Sequence, residues 1–513
     1  MKIATWDVTA ALLLTAVALC VTWVLKRRHQ QQLFQRYGIP GPKPDFFFGN
    51  WMQLKKDRLK VMEKWIEEYG KVFGFYEGEV PKVVISDLEI IKKCFVKDSH
   101  VFRDRGPFVV EVEPIKSSLL FLKGDEWKRM RSVLNPIFST AKMKLMSQVM
   151  SDCANTLVEV ISHQLSTGRA VVNATELSQG LSLDVVTKCA LAWQVDCQRD
   201  LENPILKRLK KIFLEVDEGV MAAAMAIPIL RRFFAWIFPM LSYGKLFLLI
   251  NDNLREVINA RAAKLDGTTT ADVVQLMLEA KAEAVRRKNG AEIEIMEKHL
   301  LANCFVFLAA GFETTATTLA FILYELSRHP EEQDKLFVEI KSQLTHHNEL
   351  VDYDSVQKLK RMDMVISECL RLYPPLVLFT TRVCDKDTTL AGFTVPAGVH
   401  IVLPTWHVHH NPDVWPDAHR FIPDRFLSDM AHADKRNLAA FVAFGLGPRE
   451  CIGRRFALLE LKTVLAKLLS TYVFSVCDET DHPMQFIVPS VTVSPARNIM
   501  LQVKWRNTQD LLG

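Results

Sequence analysis

The chain has 513 residues, 49% of them hydrophobic, and 64 lysines and arginines against 59 acidic residues give a net charge of +5. That length can bury a large core, and basic residues scattered without an aromatic-interleaved stripe argue against nucleic acid as a partner. The ten cysteines form no Cys-x-x-Cys pair and no zinc spacing, so they read as reduced, mostly buried thiols in a cytosolic setting rather than a disulfide framework.

The first element is an apolar run, Val8 to Leu25, broken only by Thr9, Thr15 and Thr22 and followed at once by Lys26, Arg27 and Arg28. At about 1.5 Å per residue, a helix over roughly 3–25 crosses a bilayer core of about 30 Å. Trp6 and Trp23 near its ends suit interfacial anchors, and the basic cluster behind it puts the rest of the chain in the cytosol. A cleaved signal peptide would carry its charges before the apolar run and a small-residue site after it. We therefore expect a single-pass anchor over 1–28. Ile39-Pro40-Gly41-Pro42-Lys43-Pro44 follows as a stiff extended hinge within a linker, 29–50. No Pro-, Gly- or Ser-dense stretch and no repeat interrupts what comes after, so 51–513 is expected to form one catalytic domain. Asn173-Ala174-Thr175 is a glycosylation sequon that this topology hides from the lumen, and it is expected to stay unmodified. A second apolar stretch, Val220 to Leu241, is interrupted by Pro228, Arg231, Arg232 and Pro239, which leaves a membrane-dipping hairpin or plain core.

Met296 to Arg328 reads as one long helix, apolar on nearly every face apart from Glu313, Thr314, Thr315, Thr317 and Thr318. Such a helix belongs in the middle of a domain, and a polar cluster there needs a reason because unpaired burial costs several kcal/mol. Ala309-Ala310-Gly311 just before it leaves room for a flat ligand against the backbone, with Glu313 and Thr314 placed to relay protons. Glu368 and Arg371 stand one helical turn apart, an ordinary ion pair by spacing alone. The same spacing recurs at Glu283/Arg286 and Glu325/Arg328, to which no function is given. Short strands are expected around Lys82 to Ser86 and His400 to Pro404.

The most informative segment is Phe444-Gly445-Leu446-Gly447-Pro448-Arg449-Glu450-Cys451-Ile452-Gly453. Its glycines and proline force a tight loop, and Arg449 supplies a fixed cation for an acidic cofactor edge. Arg454 to Ser470 reads as an amphipathic helix whose N-terminal N–H groups and dipole favour a Cys451 thiolate. Axial thiolate is one of few haem ligations and favours O–O cleavage.

Phe444, Gly447, Arg449, Cys451 and Gly453 match the Phe-x-x-Gly-x-Arg-x-Cys-x-Gly signature, and the chain resembles the cytochrome P-450 superfamily from its hinge to its C-terminus. The hinge, Glu126 to Ser132 and Gly311 to Thr315 are most similar to the animal microsomal branch that includes family 3 and thromboxane synthase. The resemblance implies a mainly α fold with a minor β part, and a haem b cofactor ligated by Cys451. It implies that Thr314 hydrogen-bonds dioxygen while Glu313 brings protons in, with Ala310 against the haem. Propionate contacts are implied for Trp127 and Arg131 of Trp127-Lys128-Arg129-Met130-Arg131, for Arg449, and for Arg105 and Arg382. Glu368, Arg371 and Arg425 would interlock behind the haem and hold the cysteine loop in register. Segments 108–120, 212–221, 305–309, 376–380 and 486–488 would line a pocket for a lipophilic small molecule.

The expected activity is monooxygenation at the endoplasmic reticulum membrane, one atom of O2 entering the substrate. The chain has no nucleotide cradle, so electrons are expected from NADPH through an FAD/FMN cytochrome reductase, with cytochrome b5 as a further donor. Arg449, Arg454, Arg455, Lys462, Lys128 and Arg129 are the candidate docking cations. An oxygen-independent isomerase or dehydratase, and a haem sensor or carrier without turnover, are the alternatives. The Glu313–Thr314 pair weighs against both.

Overall fold

The computed structural model describes residues 2–106, 112–113, 115–191, 193–215, 224, 227, 230–262, 274–275, 277–279, 297–346, 351–427, 439–489 and 491–507. The helices that carry the argument are α1 (Lys2–Gln31), α2 (Gly124–Leu134), α3 (Thr140–Ser166), α4 (Ala174–Val186), α5 (Pro204–Glu215), α6 (Leu230–Ile237), α7 (Glu297–Arg328), α8 (Lys360–Leu372) and α9 (Arg454–Thr471). The strands are short: β1 (Val72–Glu77), β2 (Val80–Ile85), β3 (Val171–Asn173), β4 (Thr381–Val383), β5 (His400–Val402), β6 (Tyr472–Ser475) and β7 (Met500–Trp505). The fold is mainly helical with small sheets, as the resemblance implied.

Two helices among the described residues are long and apolar enough to cross a membrane, Thr9–Gln31 and Lys298–Arg328. The apolar 18-residue stretch of the first is not buried, whereas two thirds of that of the second is buried inside the protein, so of these two only the first is free to meet lipid. The C-terminal end of α1 is built into the body of the molecule. Arg27 is 2% exposed and donates to the carbonyls of Phe46, Phe47 and Gly78 at 2.8–2.9 Å. It also pairs with Glu79 at 3.3 Å. The hinge is equally close. The Gly74 N–H donates to the Pro40 carbonyl at 2.8 Å, and a Cβ on Gly41 would lie 1.9 Å from the Gly74 carbonyl oxygen.

β1 and β2 pair antiparallel, β2 and β5 parallel, and β5 and β4 antiparallel. Alternation along the strands separates two apolar faces. Phe73, Phe75, Val84 and Val402 pack against Trp65, while Val83, Ile85 and Ile401 join Phe95 and Phe102 on the other side. A second sheet, β3–β7–β6, closes the C-terminal end of the helical core.

That core is α7 crossed by α4 and flanked by α3, α8 and α9. The α4–α7 crossing is tight because of Gly311, where a Cβ would stand 2.9 Å from Val186. Residues 459–466 of α9 are all buried, Glu460 and Lys462 included. The expectation of an amphipathic helix is therefore corrected: past its exposed first turn α9 is covered on every side over 459–466, and Lys462 escapes the cost of burial by pairing with Asp363 at 2.8 Å. Asn173 caps α4 by accepting from the Glu176 N–H at 3.1 Å. Of the 220–241 stretch, residues 220–223, 225–226 and 228–229, Pro228 among them, fall outside the described residues. Its helical part, α6, buries Phe234 and exposes Phe233 and Trp236.

Candidate active site

Cys451 sits two residues before Gly453, the N-cap of α9. The loop before it closes when the Cys451 N–H donates to the Phe444 carbonyl at 2.8 Å. Gly445 and Gly447 both take positive φ, 76° and 74°, a region that costs other residues. Gly447 is doubly constrained, since a Cβ there would fall 1.8 Å from the Phe95 carbonyl oxygen. The Cys451 side chain keeps accessible surface although its thiol is desolvated by surrounding protein. The sulfur is thus accessible at its surface yet set among protein atoms.

Burial pushes the Cys451 thiol up, against the Gly453 N–H and the charges of Arg105 and Arg131, which pull it down. The helix end alone does not make the thiolate. Desolvation outweighs it, and a coordinated metal cation is what removes such a proton outright.

Five expected haem contacts converge on this loop. Arg449, 3% exposed, donates to the Arg103 and Leu122 carbonyls at 2.8 and 2.9 Å and to Asp104 at 2.8 Å. Its guanidinium lies 4.2 Å from the Trp127 ring centroid. Arg131 donates to the Glu450 carbonyl at 2.9 Å, Arg105 to the Arg449 carbonyl at 3.1 Å, and Arg382 to the Leu446 carbonyl at 3.1 Å. Burial followed by mutual repulsion lowers Arg382 well below the ordinary guanidinium range. Arg105 falls to about 10 for the same two reasons, and Arg449 to about 10 by burial, with Asp104 opposing.

On α7, Ala310 is exposed although Leu308 and Phe312, two residues to either side, are fully buried, so a small-residue position of the core helix is left uncovered. The Thr314 hydroxyl donates to the Ala310 carbonyl at 2.7 Å. Glu313 is 6% exposed and accepts from Thr317 at 3.4 Å, while its Oε2 has no partner. Burial raises it to about 7.

Behind the loop, Arg371 donates to Glu368 Oε2 and Oε1 at 2.7 and 2.8 Å, and both side chains are wholly buried. Arg371 also reaches the His409 and Ala418 carbonyls at 2.9 and 2.7 Å. Arg425 approaches Glu368 at 3.3 Å, and the Ile422 N–H donates to the same carboxylate at 2.9 Å. Sequence reasoning missed His409, whose Nε2 accepts from the Val442 N–H at 2.9 Å. It also missed Asp104, the acid beside Arg449; nothing in the local pattern of either marks it.

One expectation fails here. Arg449 and Lys462 are buried and committed to Asp104 and Asp363, which removes them from any docking face and leaves Lys128, Arg129, Arg454 and Arg455 exposed. Phe486 is half-buried, its ring packed among Phe321, Tyr373 and Trp406. Segments 107–111, 216–221 and residues 283 and 286 lie outside the described residues.

A flat anionic group with a thiolate-seeking metal fits this donor set: an accessible sulfur lies among four guanidiniums, with the acids Asp104 beside Arg449 and Glu450 beside Arg131. Fold and site define a haem-thiolate enzyme. The cytochrome P450 family model matches residues 39–503. Among curated proteins, the chain is 31% identical to cytochrome P450 3A7 of Homo sapiens over 479 residues, 92% of each chain. It is 32% identical to cytochrome P450 3A11 of Mus musculus over 514 residues, 97% of this chain and 98% of that one. Lithocholate 6-beta-hydroxylase of Mesocricetus auratus is 31% identical over 513 residues, 98% of this chain and 97% of that one. The chain belongs to the cytochrome P450 family and is a monooxygenase.

Proposed function

We propose that this protein is a microsomal monooxygenase of lipophilic substrates, anchored by residues 1–28, connected through 29–50 and catalytic over 51–513. The supporting observation is the accessible Cys451 thiol in its glycine-turned loop before α9, with Arg105, Arg131 and Arg382 donating to that loop's carbonyls. Cys451 would hold iron of haem b, with Trp127, Arg105, Arg131, Arg382 and Arg449 at its carboxylate edge and Phe444 and Gly453 shaping the sulfur's surroundings. The haem, when bound, supplies oxygen activation and insertion.

The chain's own residues do the rest. Glu368, Arg371 and Arg425 brace the loop from behind. Glu313, held near neutrality by burial, can give or take a proton at working pH, and Thr314 can turn its hydroxyl from Ala310 toward a bound ligand. Leu308, Phe312 and the apolar residues around them exclude water. Electrons would come from NADPH through a flavoprotein reductase meeting Lys128, Arg129, Arg454 and Arg455, with cytochrome b5 as a second donor. The anchor would sit in the endoplasmic reticulum with the catalytic domain in the cytosol. α6 would dip its exposed Phe233 and Trp236 into the bilayer surface. The name of the hamster relative makes a steroid acid the first substrate to try.

The test is the carbon monoxide difference spectrum of the reduced protein. A Soret band at the thiolate position is expected, with haem lost in Cys451→Ala. Thr314→Ala should keep haem and divert reducing equivalents to peroxide. Haem retained in Cys451→Ala with an unchanged spectrum sinks the reading.

A further inference from the structure

Asn303 stands on α7 and is wholly buried, among the apolar and equally buried Leu300, Leu301, Ala302 and Cys304. A buried amide is costly unless both of its ends are bonded. Here they are. Asn303 Nδ2 donates to the His299 carbonyl at 2.7 Å, one turn back on its own helix, and that bond fixes the orientation of the amide because a carbonyl can only accept. Oδ1 is left to accept, and it takes the Leu119 N–H at 2.8 Å.

Leu119 lies in a turn that is otherwise folded on itself. The Ser118 N–H donates to the Ile115 carbonyl at 3.0 Å, and the Phe121 and Leu122 N–H groups donate to the Ser118 carbonyl at 3.0 and 2.9 Å. The Leu119 N–H instead leaves the turn for α7. A compact turn held at one backbone point moves as a unit, and Leu119 and Leu122 seat it in the core cluster that includes Leu308 and Phe312.

The place of this pin along α7 gives it a consequence. Ala310 follows Asn303 by seven residues and Thr314 follows Ala310 by four, so the three share one face of the helix. At a rise of about 1.5 Å per residue, the amide lies about 10 Å before Ala310. Leu300 to Cys304 are all buried, whereas Phe305, Val306, Phe307, Ala309 and Ala310 keep accessible surface. The full cover over α7 ends where Asn303 holds it.

We propose that Asn303 is a specificity-determining positioning residue: by holding the Leu119 N–H it fixes the 115–122 turn as the end wall of the substrate site, and so sets how far a lipophilic molecule can extend along α7 from Ala310. Its effect on substrate length rests on the active-site role proposed for Ala310 and Thr314; the hydrogen bond itself does not.

Amide exchange of the full-length holoenzyme and a ladder of haem-ligating phenylimidazoles test the two parts. In Asn303→Leu, close in volume but without the acceptor, exchange at 119–122 should quicken about five- to tenfold, one neutral hydrogen bond being lost. Asn303→Ser should match it, because a serine hydroxyl still bonds its own helix yet stops one bond short of Leu119. 4-Phenylimidazole, read by its Soret shift, should bind both variants as it binds wild type. Its longer biphenylyl and terphenylyl homologues should gain about fivefold or more as overpacking against the end wall is relieved. Exchange at 119–122 that neither variant changes overturns the pin. Quickened exchange with the wild-type preference for length overturns its part in specificity, and so does an equal loss of all three ligands, which marks a collapsed site rather than a released wall. Asn303→Ser alone decides should Asn303→Leu not fold. Failure of the active-site reading shows separately, as no Soret shift with any imidazole in the wild type while the exchange difference stands.

Discussion

Arg371→Met offers the sharpest test of how the cysteine loop is braced. The substitution keeps volume and apolar stem but removes a guanidinium that makes two bonds to Glu368 and reaches the His409 and Ala418 carbonyls. Glu368, wholly buried, would be left with the Ile422 N–H at 2.9 Å and Arg425 at 3.3 Å. Breaking a buried pair by deleting one partner costs about 3–5 kcal/mol, and each orphaned carbonyl adds about 1–3 kcal/mol. Arg425 offsets part of the first figure. Even so, a total of roughly 4–8 kcal/mol approaches the ~5–15 kcal/mol that holds a folded protein together. The single variant is therefore expected to accumulate largely unfolded. The double variant Glu368→Leu/Arg371→Met removes the stranded charge along with the cation, and should melt at a higher temperature than Arg371→Met despite losing more bonds. Thermal unfolding followed by far-UV circular dichroism reads both. A double variant no more stable than the single one, or a single variant close to wild type, refutes the reasoning.

Glu313→Gln should cut substrate turnover at least tenfold, since a positioned acid–base group contributes about 10²–10⁴, while haem content stays unchanged. Its stability effect has a definite sign. The folded-state pKa of Glu313 is raised from 4.5 to about 7, so the folded form binds the extra proton, and stability present below pH 4.5 is lost as pH rises through 7. Thermal melts at pH 5 and pH 8 should therefore favour Glu313→Gln over wild type more at the higher pH. Arg449→Lys keeps charge but not the fork that spans Arg103, Leu122 and Asp104; the haem-to-protein ratio should fall severalfold, and a full complement of haem counts against the assignment. Gly41→Ala drives a Cβ onto the Gly74 carbonyl oxygen, and a melt lowered by about 1–3 kcal/mol of overpacking is expected. In a chain lacking residues 1–26, Phe233→Ser/Trp236→Ser should abolish residual vesicle binding, each ring being worth about 1.5–3 kcal/mol when buried; binding that survives counts against membrane contact by α6.

The long helix and the cysteine loop were legible because their constraints are local. A run of apolar residues with one polar break at 313–318 can only be a core helix, and α7 ends at Arg328 as expected. Gly445 and Gly447 read as a tight loop for the same reason that their positive φ values require them. Arg449 and Lys462 were misplaced as surface cations because burial of a charge depends on a partner distant in sequence, Asp104 or Asp363. α9 looked amphipathic for the same reason: Glu460 and Lys462 are charges that read as exposed, on opposite faces of the helix, yet the structure buries both, the second against Asp363 of α8. His409 stands in a run of similar residues, His407 to His410, and only the fold tells which one holds the Val442 N–H.

The arginines around Cys451 share a habit that explains how the loop can be both irregular and rigid. An irregular loop leaves carbonyls without ladder partners, and buried carbonyls must be satisfied. Here Leu446, Arg449 and Glu450 give theirs to Arg382, Arg105 and Arg131, arriving from β4, from the segment before residue 107 and from α2. Each arginine spends only part of its donor set in this way, leaving positive charge around Cys451. The same side chains that hold the loop thus create the demand for an anion, so an anionic cofactor edge bound there would tighten the loop as well as neutralise that charge. Loop order and cofactor occupancy should consequently rise together, and amide exchange at 446–451 should slow when haem is added to haem-depleted protein. Exchange that stays the same with and without haem would show the loop to be fixed by the protein alone.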